Sequence, residues 1–207
     1  MVLGFTGFVR EWHGHGDVIT MIAEDPPDAR RQLLMVGDGP VRAAMEQQAR
    51  ELGIADRVRF TGIIGRDEVA RYFAAFDIAL QPAETLFEYL ALGKAIVGSA
   101  QPNIIEILQP DYNALLFDPA APSGLAGAIA RLSADPVIRT TVAANARATI
   151  GEQQLTWQAN AEPVVALFRG LMPHACGPVF FCPPASLSPG AHLCTKNCPT
   201  LPYEPPS

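Results

Sequence analysis

Phe87-Glu88-Tyr89-Leu90-Ala91-Leu92-Gly93-Lys94-Ala95-Ile96-Val97 is the stretch on which the fold turns. It places one carboxylate in the first turn of a short apolar helix. Gly93 ends that helix, and a β-branched strand begins at once. Helix, glycine stop and buried strand in quick succession are what a parallel sheet of βαβ units requires.

Working outward, the same alternation holds along most of the chain. Val2 to Phe8 reads as a first strand, Asp17 to Ala23 as a short helix and Leu33 to Val36 as a second strand. Pro40 suits the first position of a helix whose apolar residues Val41, Met45, Ala49 and Leu52 keep helical spacing up to Gly53. Val58 to Phe60 is a brief strand, Asp67 suits the cap of a helix through Phe73, and Ile78 to Leu80 is the next strand. After the helix from Thr85 to Leu92 come a strand from Ala95 to Val97, a turn at Gln101-Pro102-Asn103, a short helix through Leu108 and a strand from Ala114 to Phe117. Three helices follow, at Ser123 to Leu132, Pro136 to Ile150 and Thr156 to Leu171. The expected fold is therefore α/β: a single doubly wound, Rossmann-like parallel sheet with helices on both faces.

Composition narrows the function. With 207 residues, 49% of them apolar, the chain can bury one substantial core with a tail. Its formal charge of −6 argues against a nucleic-acid surface, because Arg30-Arg31 is the densest basic spot. No apolar run is long enough to span a bilayer, and the N-terminus lacks a basic segment leading into an apolar core, so a cytoplasmic location is expected. All four cysteines, Cys176, Cys182, Cys194 and Cys198, follow the last helical pattern, which leaves no disulfide framework in the preceding part. Nine of the 19 prolines also fall after Leu171. Residues 1–171 thus read as one domain and 172–207 as a Pro- and Cys-rich tail, expected to be disordered. His174 and His192 with the four cysteines give only one tight pair, so free thiols are a better reading than zinc.

In open α/β sheets, ligands sit beyond the carboxyl ends of the strands, so the loops after strands carry the candidate site. Gly7-Phe8-Val9-Arg10-Glu11-Trp12-His13-Gly14 encloses basic groups between two glycines and could admit a diphosphate. A solvent-exposed loop without a ligand explains the same letters, and His15 beside it reads as solvated. Gly37-Asp38-Gly39-Pro40 permits close backbone approach before a helix start, or merely turns the chain. Phe60-Thr61-Gly62-Ile63-Ile64 leads out of the third strand, and core packing explains its letters. Glu88 could take a sugar hydroxyl. The lesser reading spends it on a capping box with Thr85, which the spacing Thr85-x-x-Glu88 allows. The first turn lacks Gly-x-Gly-x-x-Gly, which argues against a dehydrogenase.

The Phe87–Val97 stretch, with Met35-Val36-Gly37-Asp38-Gly39-Pro40 and Asn113-Ala114-Leu115-Leu116-Phe117-Asp118-Pro119, closely resembles the donor-binding half of family 4 glycosyltransferases of the GT-B fold over roughly Val2 to Leu171. The resemblance implies transfer of a sugar, with retention at the anomeric carbon, from a UDP-sugar or GDP-sugar, without a cofactor or metal. It implies that Glu88 binds the ribose hydroxyls, that the Gly7 loop with Arg10 and His13 meets the diphosphate, that the Gly37-Gly39 turn lies near the donor, that Ile64 meets the nucleobase, and that Thr85 and Leu86 belong to the donor site beside Glu88. Departures are visible. Phe8 and His13 stand where the family has Arg and Lys, and Leu80 stands where the first of two paired acids falls. Thr85 replaces the Lys of a closer subfamily, and the preceding loop is about six residues shorter than in that subfamily. The resemblance also implies a separate N-terminal acceptor domain, absent from this chain, as a partner; any membrane contact would come through a lipid acceptor. A half-enzyme inactive alone, a nucleotide-sugar binding module and a degenerate fragment that binds nothing are all compatible with these letters.

Overall fold

The computed structural model describes residues 1–26, 29–80, 85–121 and 123–171. The expected disorder of the tail, its cysteines and the shortening of the loop at 81–84 lie outside the described residues. Six strands form one parallel sheet: β1 (Val2–Thr6), β2 (Gln32–Val36), β3 (Val58–Phe60), β4 (Ile78–Leu80), β5 (Ala95–Ser99) and β6 (Leu115–Phe117). Their order is β3-β2-β1-β4-β5-β6, with Thr6 opposite Val36 and Gly4 opposite Ala79 in the register. This is the doubly wound order, built outward first to one side of β1 and then to the other.

Strand alternation divides the core in two. Leu3, Phe5, Leu33, Met35, Ile78, Leu80 and Val97 pack on one face with residues of α1 (His15–Ala23), α2 (Arg42–Glu51) and α6 (Gly124–Ala134). Val36, Ala79 and Ile96 face the other way, toward α3 (Val69–Ala74), α4 (Leu86–Ala91), α5 (Pro102–Ile105) and α7 (Pro136–Glu152). Gly4 lies on this second face, where a Cβ would sit 2.1 Å from the Phe76 ring. A side chain there would displace Phe76 from the sheet. The last helix among the described residues, α8, spans Trp157–Leu171.

One compact unit runs from Met1 to Val165 and a second begins at Ala166. Within the first, polar pins set the ends of elements. Asp25 has a fully buried side chain that pairs with Arg31 and, at 2.6 Å, with Arg57. Fully buried Asn113 accepts from the Gln109 main-chain N–H at 2.7 Å. Its Nδ2 donates to the Ile107 carbonyl at 3.2 Å and to Thr149 Oγ1 at 2.8 Å. The turn before β6 is thereby fastened to α7. No helix among the described residues is long and apolar enough to cross a membrane.

The helices start at different places from those the sequence suggests. The chain makes a turn at Pro40-Val41 and α2 begins at Arg42; Glu68, not Asp67, precedes α3, and no side chain caps it. Two short 3₁₀ turns, Glu11–His13 and Ala55–Arg57, have no apolar period to announce them.

Candidate functional site

The strand order reverses between β1 and β4, and their carboxyl ends flank the crevice where doubly wound sheets hold ligands. One wall is the segment after β1. It is positioned by main chain: Gly7 N–H donates to the Val36 carbonyl at 3.0 Å, and Val9 N–H to that of Asp38 at 2.9 Å. Gly37 N–H in turn reaches the Gly62 carbonyl at 3.1 Å, so the turns after β1, β2 and β3 are laced together. A Cβ on Gly37 would meet the Gly7 carbonyl oxygen at 2.1 Å, and one on Gly39 would meet that of Val9 at the same distance. Both glycines therefore have a packing task beneath the loop. Gly37, at φ +128°, is also in a conformation that other residues avoid.

Above this lacing, the loop presents aromatic and basic groups. Arg10 is exposed, with its guanidinium 4.6 Å from the Phe8 ring centre and 5.0 Å from that of Trp12. Phe8 and Trp12 are themselves exposed, so the pair holds the cation by its faces and leaves its N–H edge available. His13 ends the 3₁₀ turn, and its Nδ1 accepts from Arg10 N–H at 3.2 Å. That bond puts the ring proton on Nε2. Burial, and then Arg10, hold the His13 pKa below its ordinary value. At neutral pH His13 is a neutral hydrogen-bonding group. Gly7, Arg10 and His13 line one depression together with Thr6.

His15 corrects the expectation of a solvated side chain: it is 2% exposed. Helix α1 starts at His15, two residues before Asp17, which turns the imidazole onto Phe5 with ring centres 4.3 Å apart. Burial, and secondarily His13, push its pKa down to about 3.

Helix α4 rises from the other side of the crevice. Leu86, Tyr89 and Leu90 are buried, while Phe87 and Glu88 face outward. Thr85 precedes the helix at φ −104° and ψ 17°, outside the extended conformation of a capping residue, and its side chain makes no cap. The capping box does not form. Glu88 accepts no side-chain hydrogen bond and joins no ion pair among the described residues. Ile64, by contrast, is half-buried against the core face covered by α3 and α4, and its neighbour Ile63 projects outward at 89% exposed.

A cavity of about 160 Å³ opens between the starts of α1 and α6 and the ends of β5 and β6, lined by His13, Asp17, Ser99, Gln101, Asn103 and Ser123 among others. These polar residues, His13 apart, were not anticipated from the sequence. For Ser99, Gln101, Asn103 and Ser123, a position at or after the ends of β5 and β6 is a signal that could have found them, since it is the same rule that picked out the loops after β1 and β4. Among the described residues, no group of three or more His, Cys, Asp or Glu side chains gathers as metal ligands would.

Residues 1–135 match the family model of the group 1 glycosyl transferases. Over 156 residues the chain is 31% identical to the lipopolysaccharide core biosynthesis glycosyltransferase LpsD of Rhizobium meliloti, an alignment that takes in 72% of the chain and 44% of that protein. The chain spans 37 to 44% of the length of the first curated relatives it matches. Its structure superposes with a TM-score of 0.70, at 23% identity, on Anabaena HepE in complex with UDP and glucose, covering 82% of this chain and 48% of that one. With a TM-score of 0.64, at 20% identity, it also resembles the C-terminal domain of a group 1 glycosyl transferase from Francisella tularensis, covering 74% of this chain and 85% of that domain.

Proposed function

This chain belongs to the group 1 glycosyltransferases, and from that premise we propose that it is the donor-binding half of a retaining, family 4 enzyme, taking a UDP-sugar or GDP-sugar into the crevice between β1 and β4. The observation that carries this reading is Glu88: a carboxylate without a side-chain partner among the described residues, exposed in the first turn of a helix at the switch point. Such a group accepts two ribose hydroxyls at little desolvation cost. The diphosphate would lie along the Gly7 loop. There the N-terminus of α1 offers main-chain dipoles, the stacked Arg10 offers a cation and His13 Nε2 offers a neutral donor. Thr85 and Leu86 would border it at the foot of α4. As the sugar leaves, charge grows on the diphosphate, and these groups are the stabilisers this half supplies.

The extent of the match supports the assignment to one half. The fold likeness takes in 85% of an isolated C-terminal domain, whereas longer relatives are matched over less than half their length. Phe8, Trp12, Ile63 and Phe87 are large exposed apolar residues in loops or helix starts after β1, β3 and β4. An apolar rim at that end of the sheet suits a facing domain that closes over the donor and carries the acceptor site. On this reading residues 1–171 form the donor domain, and sugar transfer needs the facing half. A nucleotide-sugar binding module without transfer chemistry is the second reading. It is favoured by the thin positive charge of the loop, where Arg10 is the cation and His13 is neutral.

Thermal unfolding of the full chain with excess UDP, GDP, ADP and their sugar conjugates tests the proposal. Ligand at about 100 times its dissociation constant adds about 2.7 kcal/mol of stability. A shift with UDP or GDP that Glu88→Gln weakens about tenfold in affinity is the expected outcome. No shift with any nucleotide sinks the proposal.

A further inference from the structure

The two walls of the crevice meet over three hydroxyls. Thr6 ends β1 on the same sheet face as Gly4, the face that α4 covers. Tyr89, on α4, is fully buried, with its ring 5.2 Å from that of Phe73 in an edge-on contact and 6.2 Å from that of Phe76. The phenol oxygen, Thr6 Oγ1 and Thr85 Oγ1 are all buried, and none closes a hydrogen bond of normal geometry. They nevertheless converge. Burial drives the Tyr89 phenol pKa up, while the Thr85 hydroxyl, the Thr6 hydroxyl and the Thr6 main chain draw it back. Three buried hydroxyls that act on one another at the meeting of α4 and β1 are satisfied there by one another or by a shared buried water, which needs about three polar partners. Phenylalanine at position 89 and valine at position 6 would serve packing alone without a buried hydroxyl to satisfy.

What these hydroxyls join matters for the site. Helix α4 has only six residues, Leu86 to Ala91, and its apolar anchors Leu86 and Leu90 fix its depth on the sheet. Depth alone does not fix its slide toward β1. Glu88 is the neighbour of Tyr89 and stands on that same turn. We propose that Tyr89 is a positioning residue for Glu88: its buried hydroxyl ties the first turn of α4 at Thr85 to the carboxyl end of β1 at Thr6. The proposal rests on the reading of Glu88 as the ribose-binding acid.

The test is a mutant cycle on the full chain, with UDP and GDP titrated by calorimetry and unfolding followed separately. Tyr89→Phe should leave the unfolding midpoint unchanged or raised and lower nucleotide affinity about five- to tenfold. Thr6→Val should do the same, and Thr6→Ser, which keeps the hydroxyl, should restore wild-type affinity. In a Glu88→Gln background, Tyr89→Phe should cost almost nothing further, because the acid it positions is gone. An affinity loss of equal size in both backgrounds overturns the positioning role, as does unchanged affinity in Tyr89→Phe when the wild type binds. If Tyr89→Phe does not fold, Thr6→Val carries the same cycle. A wild type that binds neither nucleotide overturns the parent reading, and this one with it.

Discussion

Replacing Asn113 by alanine should cost the fold about 2–4 kcal/mol, and the hydrogen bonds show where that figure comes from. The Gln109 N–H donates to Asn113 Oδ1 and, among the described residues, to no other acceptor, so truncation orphans it on the buried side of a part-exposed turn. An orphaned buried donor costs about 1–3 kcal/mol. The two bonds from Nδ2 are cheaper to lose. The Ile107 carbonyl still accepts from Gln153 Nε2 at 3.2 Å, and Thr149 Oγ1 still donates to the Asn145 carbonyl at 2.8 Å. Together they add about 1 kcal/mol. Urea unfolding of wild type, Asn113→Ala and Thr149→Val, followed by circular dichroism, reads the difference at constant slope. Thr149→Val removes one of the three Asn113 bonds and should cost about 1 kcal/mol. An Asn113→Ala loss smaller than about 1 kcal/mol, or one matched by Thr149→Val, would refute the reasoning.

Three further outcomes are expected. Gly37→Ala places a Cβ 2.1 Å from the Gly7 carbonyl oxygen at a backbone φ of +128°; its unfolding free energy should fall by about 3 kcal/mol or more, and a fall under about 1 kcal/mol would show that the laced turns yield easily. His15 is held neutral in the fold, its pKa pushed down to about 3 from an ordinary 6.5. Unfolding therefore takes up a proton, so the neutral ring's contribution is complete above about pH 6.5 and is lost between there and about pH 3, with a limiting slope of about 1.4 kcal/mol per pH unit. His15→Leu should flatten that part of the stability curve, and equal pH dependence in the two proteins would contradict burial of the imidazole. Arg10→Ala should lower nucleotide affinity more in low salt than in high salt, as a cation at a phosphate demands; a salt-independent effect would assign Arg10 to packing on Phe8 and Trp12 instead.

The sheet was legible because each strand is a short apolar run cut off by a glycine or polar turn. Val58–Phe60 and Ile78–Leu80 have the bounds read from sequence. Side-chain environments were less legible, because they depend on where a helix begins to within a residue or two. His15 looked solvated beside Gly14 and Gly16, yet an earlier helix start rotates it onto Phe5. The Thr85-x-x-Glu88 spacing satisfied the letters of a capping box, but the box needs an extended backbone at Thr85, and the chain there has ψ near 17°. Gly37 and Gly39 illustrate a third limit. Their tight turn was readable, whereas the carbonyl oxygens of Gly7 and Val9 that press on them come from another loop, and no local pattern reports a neighbour some thirty residues away. Ser99, Gln101 and Asn103 are small polar residues without periodicity, so only the topology reveals that they share a cavity with His13.

The main-chain lacing of the turns after β1, β2 and β3 separates geometry from chemistry. The path of residues 7–9 is set by amides and carbonyls that every amino acid but proline carries, and by glycines in the turn beneath. Side chains on the outer surface of the loop are passengers on that frame. Phe8, Arg10 and Trp12 can be exchanged for other residues while the rail that carries them stays in place, so a lineage can revise what the loop grips without rebuilding the loop. An engineer can do the same. Lysine or arginine grafted at position 8 would arrive on a backbone already held in register, which makes this chain a ready chassis for testing how much fixed positive charge a donor pocket needs.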